Sequence, residues 1–89
     1  MVDLPGMDIK LKVGQRVKEL RKQLEISQEA LAYKAEVDRT YVTDIENGRR
    51  NVSMEILERI VIALEVSFSE FFNIFCQNSL LQYHPDLLY

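Results

Sequence analysis

Two helix starts set too close together for long helices constrain this chain most. Ser27 and Asp38 each carry a side chain that can accept from an unpaired backbone N–H in the first turn of a helix. They stand eleven residues apart, and Gly48 follows ten residues later as a helix stop. The stretch therefore reads as two short helices joined by a tight turn. Ala30, Leu31 and Lys34 fall at helical spacing in the first, and Val42 and Ile45 make an i, i+3 apolar pair in the second. Ala32 is small enough to sit where the helices cross, while Val37, Val42 and Ile45 supply apolar surface to bury one helix against the other. Arg39, Thr40, Thr43 and Asn47 are left facing outward, residue types suited to a DNA major groove. The same pattern suits an αα-hairpin inside an ordinary bundle, and on pattern alone both readings stand.

The rest of the chain supports an all-α domain. Eighty-nine residues suit one domain with one modest core, and three Gly and two Pro leave most of it free to be helical. Ile9, Val13, Val17, Leu20 and Leu24 predict a first helix over residues 8–24. Its Lys10, Lys12, Arg16, Lys18, Arg21 and Lys22 read mainly as a solvated face, with Arg16 the one most expected to touch phosphate. Gln28 lies in the first turn of the second helix, where exposed N–H groups and the helix dipole favour an anion. Tyr41 either reaches phosphate or staples the turn. Asp44 would repel phosphate, so a local arginine pair is expected for it. Ser53 caps a fourth helix to about Leu64, with Met54, Leu57, Ile60, Val61 and Leu64 as its apolar stripe. Ser67 and Glu70 form a capping box for a short fifth helix, from Phe68 to about Phe75. Four phenylalanines in eight residues exceed what one core face needs. Leu64, Val66, Phe68, Phe71, Phe72 and Phe75 are therefore expected to form a two-fold dimer interface.

Charge raises an objection to nucleic-acid binding, because the net charge is −3. Its distribution answers part of it. Residues 1–50 hold ten Lys/Arg against nine Asp/Glu, whereas residues 51–89 hold Arg59 alone against five acids. Affinity should then rest on a few placed contacts and on doubling in a dimer. Nothing points to an enzyme, a metal or a cofactor: Cys76 and His84 are each single, and no nucleotide loop or nucleophile motif occurs. No apolar run reaches a membrane span and no signal peptide is read, so a cytoplasmic protein is expected. Met7 is a second candidate for the start of translation. The expected organisation is a flexible lead over 1–8, a DNA-binding domain over 9–75 with its helix-turn-helix at 28–47, and an apolar extension over 76–89.

From Val13 to Phe75 the chain resembles the DNA-binding domain of the Cro/CI (XRE) helix-turn-helix regulators, a five-helix lambda-repressor-like fold. The resemblance rests on the SQE-LA opening at 27–32, DRTYV at 38–42, IENGRRN at 45–51 and the L-I-ALEV run at 57–66. Within that superfamily it is most similar to the controller proteins of restriction–modification systems, through its DRTY and R-N elements. Glu36 departs from the pattern, because many helix-turn-helix proteins carry glycine there for a positive φ. The resemblance implies a homodimer on double-stranded DNA at a pseudo-palindromic operator, with recognition helices about 34 Å apart. It implies regulation by blocking or contacting RNA polymerase, and no small-molecule effector is expected. Arg39, Thr40, Thr43 and Arg50 would then contact bases. Arg16, Gln28, Tyr41, Asn47, Arg49, Asn51 and Ser53 would contact the backbone. A phage-type repressor, an antitoxin-type autoregulator and a protein-interaction module are the alternatives.

Overall fold

The computed structural model describes residues 8–73, which form five helices and, among the described residues, no strand. They are α1 (Ile9–Gln23), α2 (Gln28–Ala35), α3 (Arg39–Glu46), α4 (Met54–Ala63) and α5 (Phe68–Phe71). Each starts at a cap that the sequence supplies. Asp8, Ser27, Asp38, Ser53 and Ser67 take extended backbone angles, and their side-chain oxygens accept from Leu11, Ala30, Thr40, Ile56 and Glu70 N–H groups respectively. Helix α3 packs on α1 and α2, and α2 also packs on α4. Val17, Leu20, Leu31, Val42, Ile45, Ile60, Val61, Leu64 and Phe71 fill the space between them. Among the described residues no helix is long and apolar enough to cross a membrane.

Two backbone positions set how the helices meet. At Gly14 a Cβ would collide with the carbonyl oxygen of Ile45, so α1 crosses the end of α3 almost backbone to backbone. At the α2–α3 turn Glu36 takes φ 61°, the left-handed conformation expected there. Glu25 and Glu65, each just past the end of a helix, adopt it too, at φ 60° and 64°. A residue with a Cβ holds this conformation at a cost of about 1 kcal/mol that glycine escapes. The Glu36 side chain is exposed, and its carbonyl, which accepts from Arg59, survives substitution. Glu36→Gly is therefore expected to leave thermal stability unchanged or raise it by a few degrees, about 1 kcal/mol at most. A clear fall in the melting midpoint would count against the strain assigned to this turn.

Several expectations need correction. Arg16 is 7 % exposed and does not face solvent or phosphate. Its Nε and Nη2 donate to the carbonyls of Phe71 at 2.7 Å and Glu70 at 2.6 Å, and Nη1 pairs with Glu19 at 2.9 Å. It thus satisfies the free carbonyls that end α5, which a cation there also suits electrostatically. Leu64 and Phe71 are 1 % and 0 % exposed, so they belong to the monomer core and not to a dimer interface. Phe71 meets Phe72 edge to face at 4.9 Å. Met54 and Ile9, expected on buried stripes, are exposed because each is the first residue of its helix, before the turns that pack. Phe75, residues 1–7 and the 76–89 extension lie outside the described residues.

Candidate nucleic-acid interface

Helix α3 divides into two faces. Val42, Ile45 and Glu46 are buried, while Arg39, Thr40 and Asn47 are exposed. The Asp38 cap occupies the Thr40 N–H at 3.0 Å, so this helix start offers side chains more than backbone donors. Arg39 and Thr40 stand at that end with no side-chain hydrogen bond or ion pair among the described residues. A free guanidinium and a free hydroxyl at the leading end of an exposed helix can meet base edges by hydrogen bonds.

Behind that face lies a polar brace joining three helices. Arg21 of α1 grips Glu46 of α3 with two hydrogen bonds, Nε to Oε2 at 2.7 Å and Nη2 to Oε1 at 3.1 Å. Its Nη1 donates to the Ile26 carbonyl at 2.8 Å, just before α2. Gln28, the first residue of α2, donates from Nε2 to Glu46 Oε1 at 3.0 Å and accepts from the Thr43 hydroxyl at 2.8 Å. The Gln28 side chain therefore fixes the angle between α2 and α3 from the protein side. Thr43 is half-buried with its hydroxyl engaged.

A second cluster follows α3. Asp44 pairs with Arg50 at 3.2 Å and Arg49 at 3.7 Å, the local pairing expected of it. The Arg50 guanidinium also lies 4.1 Å from the centroid of the Tyr41 ring. Tyr41 is half-buried against the core, so it both staples the turn and supports an arginine. Gly48 makes this loop possible at φ 72°. Asn51 is exposed, and Ser53 caps α4 with its hydroxyl proton still available. The structure thus brings Arg39, Thr40, Tyr41 and Thr43 onto α3, Asn47 to its C-cap, Gln28 beside it, and Arg49, Arg50, Asn51 and Ser53 onto the loop after it. Of the expected interface residues, Phe68 is 45 % exposed, and Val66 and Phe72 are half-buried at the core edge.

Comparison with known proteins decides the family. A model described as helix-turn-helix matches residues 17–71, more than half of the chain. This chain belongs to the helix-turn-helix family. Among curated relatives it is 46 % identical over 67 residues to the control protein C.MunI of Mycoplasma sp, covering 74 % of this chain and 90 % of that one. Its fold is similar to the crystal structure of the restriction–modification controller protein C.AhdI from Aeromonas hydrophila. That match has 41 % identity and a TM-score of 0.68, covering 71 % and 96 % of the two chains. The controller C.Esp1396I bound to a 25 base-pair operator site matches with 38 % identity and a TM-score of 0.74, covering 79 % and 92 %.

Arg21 and Glu46 were not among the residues expected at the site. Both were legible as anomalies of phase. Glu46 lies four residues after Val42, and Arg21 four after Val17, so each charge falls on a stripe whose other members are buried. Two opposite charges on facing buried stripes imply a pair.

Proposed function

We propose that this protein is a sequence-specific DNA-binding transcriptional regulator of the restriction–modification controller type, acting by binding and not by catalysis. The observation that carries the reading is the pairing of a free, exposed Arg39 and Thr40 with a braced helix behind them. Such a helix can enter a major groove without paying reorganisation energy on arrival. The relatives support it. C.Esp1396I is solved as a tetramer with its natural 35 base-pair operator. It is also solved with alanine in place of an arginine, the next threonine and the next tyrosine. The Arg-Thr-Tyr run of this chain is Arg39-Thr40-Tyr41. Base contacts are assigned to Arg39, Thr40 and Arg50, with Thr43 beside them. Backbone contacts are assigned to Gln28, Tyr41, Asn47, Arg49, Asn51 and Ser53. The dimer forms through Phe68 with Val66 and Phe72, continuing the core edge outward.

The test is selection from a random double-stranded DNA library at a stated salt concentration. The expected product is a two-fold symmetric consensus with half-site centres about 34 Å apart or a multiple of that. No enrichment at low salt would overturn the reading.

A further inference from the structure

We propose that Asp44 is a positioning residue that sets sequence discrimination, by holding the Arg50 guanidinium in one plane and by masking Arg49 from non-specific phosphate. This inference rests on the DNA-binding reading. Asp44 is an odd residue for a surface that meets phosphate, and it lies on α3 one turn from Thr40. Its side chain is 25 % exposed, while those of Arg49 and Arg50 are 64 % and 40 % exposed. One carboxylate oxygen faces Arg50 and the other Arg49, so a single acid is shared between the two cations of the loop. Arg50 is further constrained, because its guanidinium lies over the Tyr41 ring at 4.1 Å. A carboxylate at one edge and a ring at one face leave a guanidinium little freedom to turn. A guanidinium held that way presents its remaining N–H groups in a fixed fork, which is what a bidentate base contact needs.

The negative charge acts in the opposite direction on general affinity. It repels any phosphate near the loop and offsets part of the charge of Arg49 and Arg50. Asp44 therefore lowers binding to every sequence while favouring those that offer Arg50 a matching base edge. The gain is a ratio, not an affinity.

The experiment measures affinity of the full chain for its selected operator and for random DNA of equal length, across salt concentrations. In Asp44→Asn random-DNA affinity is expected to rise, and the operator-to-random ratio to fall about five- to tenfold, the scale of two exposed ion pairs. The salt dependence on random DNA should steepen by up to about 0.9 in log–log slope per phosphate newly contacted. In an Arg50→Ala background the same substitution should lower the ratio much less, because only the masking of Arg49 remains. A ratio that stays constant in Asp44→Asn, or falls equally in the Arg50→Ala background, overturns the proposal. Asp44→Ser gives the same test if asparagine disturbs the helix. A wild-type protein with no operator preference would instead defeat the DNA-binding reading.

Discussion

Glu46→Ala is expected to lower the stability of this protein by about 3–5 kcal/mol, the cost of leaving a buried charge without its partner. Small domains are held by about 5–15 kcal/mol in all, so one substitution approaches the whole margin. The melting midpoint should fall by roughly 12 °C or more, read by far-ultraviolet circular dichroism. The reason lies in the exposure of the pair: the Arg21 and Glu46 side chains are 11 % and 2 % exposed. Without the carboxylate, Arg21 keeps only the Ile26 carbonyl, and the Gln28 amide loses its acceptor. The combined variant Arg21→Met with Glu46→Leu removes both charges and should recover most of the loss, since apolar replacements of a buried pair are often neutral. A single Glu46→Ala variant that melts within a degree or two of the wild type would show the pair to be solvated and the brace to be idle.

The helix starts were legible because capping is local: an Asp or Ser and the N–H it serves lie two or three residues apart. The Glu36 conformation was expected from the resemblance alone, because many helix-turn-helix proteins carry glycine at that turn. What the sequence hid was long-range. Arg16 reads as one of six cations on a solvated helix, yet α5 returns from more than fifty residues away to place two carbonyls on it. Its place four residues before Leu20 puts it on the buried stripe, but nothing near it in the chain names the carbonyls it meets. Phe71 and Leu64 misled through a count of rings. Phe68 is the first residue of α5 and stays outside, whereas Phe71, at its end, fills the core. Of the candidate interface, the exposed start of α3 followed from caps and phase. The buried pair behind it showed only as two charges out of phase, Arg21 and Glu46.

Arg39→Ala is expected to weaken operator binding by about 1–3 kcal/mol per half-site, the value of a bidentate arginine–guanine contact. A two-fold dimer makes the contact twice, so the expected loss is about 2–6 kcal/mol, or roughly thirty- to twenty-thousand-fold in Kd. The fold should not notice. Arg39 is exposed and its side chain has no partner among the described residues, so stability should stay within about 0.5 kcal/mol. That separation makes Arg39 a cleaner probe than Arg50, whose removal also takes one of two partners from Asp44 and uncovers Tyr41. Arg39→Lys sharpens the test, because lysine keeps the charge but not the fork. If Arg39 reads a base, lysine restores binding to random DNA while the preference at one operator position stays lost. If Arg39 instead touches phosphate, alanine weakens all sequences equally, the salt dependence falls by about one log–log unit per monomer, and lysine restores both. The second pattern would move base reading from the start of α3 to the loop that carries Arg50.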